Sequence, residues 1–295
     1  MTVLFTGIIP AVITPFTADD EVDTEGLKSN VAFLVDRGVS GFVACGTMGE
    51  ASSLSDEERR LVIETVVATA DGLPVLSGVS ATSTGAACRY AVAAREAGCS
   101  GVMCLPPLLY QGTPAEYAAF YNDVADAAQV PVMAYNNPDA SGIDMSAETI
   151  TYIADAVPGV TSVKECSGDV RRIATIRELS DIKVFVGGDD WALEGYAAGA
   201  DGWVTGTGNV VPAECVELQE HVRAGRLKEA QTLYARLLPL LRLDMSPLLV
   251  QYYKGAMDSV GLSGGATRPP RLPLDAAKTN VLDAALQALT VPAAA

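Results

Sequence analysis

Short apolar runs recur along the chain at intervals of about two to three dozen residues, and polar or glycine-rich residues follow them. The segments between them carry amphipathic helical patterns, and this alternation is typical of βα units on a parallel sheet. Eight runs precede residue 210: GIIPAVIT from Gly7, GFVACGT from Gly41, PVLSGV from Pro74, GVMCLP from Gly101, PVMAYN from Pro131, GVTSVKE from Gly159, KVFVGG from Lys183 and GWVTGTG from Gly202.

Two helix starts carry capping boxes, in which a hydroxyl residue precedes a glutamate by three positions. They are SDEE from Ser55 and TPAE from Thr113, the second with proline at the first helical position. Together with the eight runs, they predict an α/β fold: a closed (β/α)₈ TIM barrel over residues 1–210. An open, doubly wound sheet is the alternative.

After Asn209 the strand pattern stops, and stretches rich in Ala, Leu, Glu and Arg take over. They predict a helical C-terminal extension over residues 211–295, packed on the barrel. The stretch SGGATRPP from Ser263 is predicted to be a surface connection, and the PAAA tail is predicted to be frayed. The predicted helices are 212–224, 227–243, 247–260 and 274–289.

The composition, 295 residues of which 49% are apolar, is that of a soluble globular protein. Its net charge is −16, and no basic cluster is longer than the pair Arg171–Arg172. Little is therefore available to neutralise phosphate groups, and we expect neither nucleic acid nor a membrane surface as a partner. The N-terminal sequence lacks the basic region of a signal peptide, and no apolar run approaches the ~18 residues of a membrane span. We expect a cytoplasmic protein.

Cysteine and histidine provide little for metal or triad chemistry. The six cysteines lack C-x-x-C spacing and are expected to be free thiols packed as small apolar residues. His221 is the single histidine, so one chain cannot build a His-centred triad or a multi-His metal site. Asp189 and Asp190 are potential metal ligands, but two acids at a helix start more often serve as an N-cap, which we favour.

The active site of a (β/α)₈ barrel lies at the C-terminal ends of its strands. Lys164 closes the sixth run, whereas the other five lysines lie in helices or at a strand start. Burial there would favour the neutral amine, which can attack a carbonyl and form a Schiff base. Judged on this lysine alone, a structural ammonium paired with Glu165 or Asp189 is an equally good interpretation.

Neighbouring strand ends offer further candidates. Tyr135 closes the fifth run and could transfer a proton near Lys164, although a packed aromatic is the alternative. Thr47 lies in a glycine-flanked turn whose N–H groups could hold a carboxylate, or it could simply stabilise the turn. The loop GTGN from Gly206 could cradle a phosphate, but without nearby Arg or Lys we favour glycines that permit close backbone approach.

Four motifs together resemble the dihydrodipicolinate synthase/N-acetylneuraminate lyase family in order and spacing. They are GTMGE at 46–50, YNNP at 135–138, KECSGD at 164–169 and GGDD at 187–190. The similarity runs from Gly7 to about Pro273. It implies a (β/α)₈ barrel with a helical extension, a homo-oligomer (tetramer or dimer), class I aldolase-type chemistry, and no metal or organic cofactor.

The resemblance also implies roles for individual residues. Lys164 would form an imine with a small 2-oxo acid, Tyr135 would transfer protons, and Thr47 would hold the carboxylate. By position, four further residues would line the substrate pocket: Gly46, Met48, Gly188 and Val204.

Three departures bear on the substrate. Ala140 stands where the synthase branch has an arginine for the second substrate, and Leu109 stands where it has a tyrosine from a neighbouring subunit. Met48 removes the second hydroxyl of the turn.

These departures favour a Schiff-base lyase acting on a 2-oxo acid. The reaction would be retro-aldol cleavage releasing pyruvate, or dehydration or deamination of a hydroxylated 2-oxo acid or cyclic imine. Within the family, 4-hydroxy-tetrahydrodipicolinate synthase is the alternative, and a catalytically silent oxo-acid-binding protein is the alternative of another class.

Overall fold

The eight apolar runs form eight parallel strands of one sheet, in the order β1-β8-β7-β6-β5-β4-β3-β2. Strand β1 pairs with β8, and a parallel bridge from Ala11, just after β1, to Val43 in the middle of β2 closes the barrel. The computed structural model describes residues 5–290. Its strands are β1 (Gly7–Pro10), β2 (Phe42–Ala44), β3 (Val75–Val79), β4 (Gly101–Cys104), β5 (Val132–Asn136), β6 (Val160–Glu165), β7 (Lys183–Val186) and β8 (Gly202–Thr205).

Helices lie between the strands, and four more follow β8. Both predicted capping boxes are present, so the hydroxyls of Ser55 and Thr113 accept hydrogen bonds that start helices. The helices are α1 (Thr24–Asp36), α2 (Asp56–Thr69), α3 (Thr84–Glu96), α4 (Pro114–Ala128), α5 (Pro138–Ser141), α6 (Ala147–Ala156), α7 (Arg171–Leu179), α8 (Ala192–Ala197), α9 (Pro212–Arg223), α10 (Leu227–Leu241), α11 (Leu249–Ser259) and α12 (Ala276–Thr290).

The prediction of a (β/α)₈ barrel with a C-terminal helical extension is confirmed, and the open sheet is excluded because β1 pairs with β8. Helix α10 packs against α9 and α12, and a short 3₁₀ segment, Arg242–Met245, follows it. None of the helices described in residues 5–290 is long and apolar enough to cross a membrane. The PAAA tail lies outside the described residues.

The prediction of a plain surface connection from Ser263 is wrong at Arg268. This side chain is buried: its guanidinium donates to the Ser53 carbonyl at 2.8 Å and pairs with Glu58 at 2.5 Å and Asp20 at 2.9 Å. It also stacks on the Phe16 ring, 4.2 Å from the centroid. Glycine and proline signal irregular backbone rather than exposure, and here that backbone carries an arginine that ties the extension to the barrel.

Candidate active site

Lys164 and Tyr135 lie side by side on β6 and β5, in register with each other. The Lys164 Nζ is 3.4 Å from the Tyr135 Oη and 4.5 Å from the centroid of the phenol ring. Both residues are buried among barrel residues, yet both line a cavity of about 490 Å³ at the C-terminal ends of the strands. This cavity is where a TIM barrel carries its chemistry.

Six of the seven site residues predicted from the sequence line this cavity. Val204 is the exception, because it is fully buried on β8 and does not line the cavity. Gly206, two residues further along the chain, lines the cavity. The predicted residues that do line the cavity are Gly46, Thr47, Met48, Tyr135, Lys164 and Gly188.

The turn around Thr47, which lines the cavity through Gly46, Thr47 and Met48, carries backbone donors that no protein acceptor among residues 5–290 uses. Within the described chain, the backbone N–H groups of Thr47, Met48 and Gly49 donate to no protein acceptor. Gly49 permits the tight geometry, since a Cβ there would lie 2.9 Å from the carbonyl oxygen of Val12. Adjacent N–H groups beside a hydroxyl form a concave site suited to a carboxylate.

Asn137, which the sequence analysis left without a role, positions the phenol. Its side-chain Nδ2 donates to the Tyr135 Oη at 2.8 Å, while its Oδ1 accepts from the Ala140 N–H at 3.0 Å and caps α5. Because Tyr135 Oη accepts from Asn137, its own proton remains available for transfer. Burial raises the pKa of the Tyr135 phenol to about 12, so it is protonated at neutral pH.

The expectation that burial would leave Lys164 neutral needs correction. Burial does lower the pKa of its ammonium, but Tyr135, Cys166 and Asp244 raise it, and the net direction is upward. The amine therefore rests protonated and must lose a proton before it can attack a carbonyl. The adjacent phenol is the group that lies near enough to pass that proton on.

The interpretation of Lys164 as the partner of Glu165 or Asp189 is wrong. Neither carboxylate pairs with it, because each has other donors. Glu165 accepts from the Asn136 amide at 3.0 Å and from the backbone of Ser167 at 2.6 Å. Lys164 is thus free of any ion pair with a described residue.

Asp189 does not cap its own helix, which corrects the N-cap interpretation. It is fully buried and accepts from Trp203 Nε1 at 2.8 Å, Thr205 Oγ1 at 3.0 Å and the Thr207 N–H at 2.7 Å. The carboxylate thus joins the end of β7 to the loop after β8. Since that loop's Thr207 and Gly208 N–H groups already have protein acceptors, it forms no phosphate cradle.

No group of three or more His, Cys, Asp or Glu side chains within residues 5–290 is placed to hold a metal ion. The six cysteines are free thiols, four of them buried and two, Cys88 and Cys166, partly buried.

A family model described as the dihydrodipicolinate synthetase family matches residues 4–289. The chain belongs to this family. Its members are Schiff-base-forming lyases of the class I aldolase type, and this chain is an enzyme of that kind. The resemblance drawn from the sequence motifs is therefore confirmed.

Relatives with known names are similar to this protein along nearly the whole chain. The 4-hydroxy-tetrahydrodipicolinate synthase of Methanosarcina acetivorans is 34% identical over 294 residues, which cover 98% of this chain and 99% of that protein. A dihydrodipicolinate synthase structure from Bacillus anthracis has a TM-score of 0.93 at 29% identity, covering 99% of this chain and 100% of that one. A prophage protein of the family from Escherichia coli, solved with pyruvate, has a TM-score of 0.91 at 29% identity, covering 97% and 99%.

Two of the three departures from the synthase branch of the dihydrodipicolinate synthetase family lie in the cavity. Met48 and Ala140 both line it, and Lys164 is the one basic residue among the described lining residues. Leu109 does not line it: the side chain is 91% exposed. The cavity of this family member therefore offers no arginine to a second carboxylate.

The sequence analysis also missed the wall that the helical extension adds to the cavity. This wall consists of Asp244, Met245, Ser246, Pro247 and Leu249. Three of these residues lie in the gap between the predicted helices 227–243 and 247–260, and Pro247 and Leu249 lie at the start of the second, where the helical pattern does not indicate which side chains face a cavity. The sequence does contain a signal for Asn137. This residue lies two positions after Tyr135 and directly before a proline, a pattern typical of an N-cap residue next to a strand end.

Proposed function

We propose that this family member cleaves or eliminates from a 2-oxo acid through an imine on Lys164. The observation that carries this proposal is the pairing of Lys164 with Tyr135 in one cavity that the Thr47 turn also lines. A lysine, a phenol within proton-transfer distance and a carboxylate site are the three elements that imine formation with a 2-oxo acid requires. The complex of the Escherichia coli relative with pyruvate supports a ligand of this class.

In the proposed first step, the turn around Thr47 holds the substrate carboxylate and places the 2-oxo carbon beside the Lys164 amine. The ammonium passes a proton to the Tyr135 oxygen while the phenol releases its own proton towards the substrate oxygen. The amine then attacks the carbonyl carbon, so that a C–N bond forms and the C=O double bond becomes a C–O single bond. Loss of water from this carbinolamine gives the protonated imine.

The imine then serves as an electron sink. In a retro-aldol reaction the C3–C4 bond breaks and its electrons move into the imine, which becomes an enamine, while the hydroxyl at C4 becomes the carbonyl of a released aldehyde. The proton of that hydroxyl passes through the Tyr135 oxygen to C3 of the enamine and regenerates an imine, now of pyruvate. In a dehydration, a proton leaves C3 and the resulting enamine expels the C4 hydroxyl, which takes up that proton and departs as water. In both reactions, hydrolysis of the remaining imine releases the oxo-acid product and restores the free lysine.

Borohydride reduction in the presence of pyruvate tests this proposal. It should fix one pyruvate-derived group per chain, located by peptide mass spectrometry at Lys164. Lys254 is the internal control because it is also buried, yet it pairs with Glu50 at 2.7 Å and does not line the cavity. Labelling of Lys254, or no labelling by any 2-oxo acid, would contradict the mechanism.

The second candidate function is 4-hydroxy-tetrahydrodipicolinate synthase, and the names of the curated relatives favour it. Against it stand Ala140 in place of the arginine and a cavity lining with Lys164 as its single basic residue. A silent binding protein would be trapped by pyruvate yet turn over no 2-oxo acid.

We further propose that the protein is cytoplasmic and forms a homo-oligomer, either a tetramer or a dimer. Light scattering of the purified chain tests the oligomeric state.

A further inference from the structure

Asp244 reaches the cavity from outside the barrel. It lies in the 3₁₀ segment Arg242–Met245 that follows α10, and it shares the cavity lining with Lys164. Among the residues that the structure describes, one donor reaches its carboxyl group: the Asp189 N–H, 3.4 Å from Oδ2. Asp244 forms no ion pair within the same set of residues. A carboxyl group with one long hydrogen bond has most of its bonding capacity left for a ligand.

Gly206 brings this carboxyl group into the cavity. A Cβ at Gly206 would lie 2.9 Å from Asp244 Oδ1 and 3.0 Å from Met48 Cε. The missing side chain therefore lets the carboxyl group and the Met48 thioether approach the same backbone position. The carboxyl group therefore lies beside the Met48 thioether in the same cavity as Lys164.

Asp189 influences the charge of this carboxyl group. Asp189 has three strong donors, from Trp203, Thr205 and Thr207, whereas Asp244 has one weak donor. Burial raises the pKa of both carboxyl groups, and the proximity of Asp189 raises that of Asp244 further; Lys164 across the cavity lowers it, but the net direction is well above the ordinary range. Between two adjacent carboxyl groups, the proton resides on the one with fewer donors. Asp244 is thus the carboxyl group of this pair that holds a proton more readily, and in its protonated form it both donates and accepts.

We propose that Asp244 recognises a hydroxyl group on the distal part of the 2-oxo acid, beyond the imine carbon. This inference rests on the proposed function of Lys164. A neutral carboxyl group offers one O–H donor and a carbonyl acceptor, which match a hydroxyl group. A distal methyl group would leave Asp244 unpaired, and a distal carboxylate would find no basic partner besides Lys164, which the imine occupies.

Competitive trapping tests the proposal. Two five-carbon probes, 4-hydroxy-2-oxopentanoate and 2-oxopentanoate, are mixed in one sample and reduced with borohydride, and the adducts on Lys164 are quantified by mass. The intact and the cleaved adduct of the hydroxylated probe are counted together. The ratio of the two adducts does not depend on the folded fraction, because both probes compete for the same molecules.

The wild-type chain should favour the hydroxylated probe, and Asp244→Ala should reduce that preference by ~10-fold or more. Asp244→Asn, whose amide also donates and accepts, should retain most of the preference. Asp169→Ala is the matched control: Asp169 follows β6 at the same end of the barrel but pairs with Arg171 at 2.7 Å and does not line the cavity. Its ratio should equal that of the wild type.

An unchanged ratio in Asp244→Ala, or an equal loss in the Asn and Ala variants, would overturn the proposal. Trapping at Lys164 in the wild type would show in these cases that the proposed function itself stands. No adduct at Lys164 with either probe or with pyruvate would instead overturn both.

Discussion

Replacing Tyr135 with phenylalanine tests the proton relay with the smallest change available. The substitution removes one hydroxyl and leaves the buried ring in place. The 4.5 Å contact between the Lys164 Nζ and the ring centroid therefore persists, so the lysine keeps its cation–π partner. What is lost is the oxygen 3.4 Å from the amine and 2.8 Å from the Asn137 amide.

Two effects of different size follow from this loss. Asn137 Nδ2 loses its acceptor, which lowers the free energy of unfolding by about 1–2 kcal/mol. Loss of a positioned acid–base group lowers the turnover rate by ~10²–10⁴-fold, which corresponds to about 3–5 kcal/mol of activation free energy. Catalysis should therefore suffer much more than folding does.

Single-turnover trapping with pyruvate measures the rate of imine formation, and chemical denaturation measures the stability. Tyr196→Phe is the control, because Tyr196 is a buried tyrosine whose hydroxyl accepts from the Gln219 amide at 3.0 Å and which does not line the cavity. It should lose similar stability and keep the wild-type trapping rate. If Tyr135→Phe formed the imine as fast as Tyr196→Phe, the phenol would be a packed aromatic and the relay would be refuted.

Three further outcomes are expected. Because Ala140 provides no clamp, kcat/KM for aspartate semialdehyde with pyruvate should stay below ~10⁵ M⁻¹s⁻¹ in a steady-state assay, and a higher value would favour the synthase. Arg268→Met should lower the stability by about 2 kcal/mol in urea unfolding, since the partly buried Glu58 carboxylate and Ser53 carbonyl lose a donor; a loss below ~0.5 kcal/mol would refute this. Arg172 lowers the pKa of the Asp144 carboxyl group in the folded protein. This pair therefore stabilises the fold at any pH above the pKa that Asp144 has in the unfolded chain, and the stabilisation is lost as the pH falls through its pKa in the folded protein. Arg172→Met should flatten the decline of Tm between neutral pH and about pH 3, and a decline as steep as in the wild type would contradict it.

The barrel and the imine half of the site could be predicted because both follow local patterns. Each strand is a short apolar run, and a residue that ends such a run lies at the C-terminal edge of a parallel barrel. Lys164 and Tyr135 satisfy this rule, and the β5–β6 register then brings them together. Val204 and Gly206 show the limit of the rule: the sequence does not specify which residue of a strand end faces the cavity.

Long-range polar contacts escaped the sequence analysis. Arg268 pairs with residues more than 200 positions away, and no periodicity in its glycine- and proline-rich segment indicates a buried cation. The carboxylate of Asp189 likewise bonds to β8 and its loop rather than to its own helix. Such contacts depend on how distant elements meet, which a single sequence does not record.

The parts of the site that the sequence predicts are those that carry the reacting groups, and the parts that it does not predict form the remaining wall of the cavity. The strands and the turn after β2 supply the lysine, the phenol and the carboxylate site, whereas α5, the connection between α10 and α11 and the first residue of α11 add a further wall of the cavity. Rigid strands hold reacting groups within small tolerances, and connections can change without disturbing the barrel. Substitutions in residues 242–249 should therefore alter which 2-oxo acid is processed, while substitutions at Lys164 or Tyr135 should abolish or slow the processing of every one.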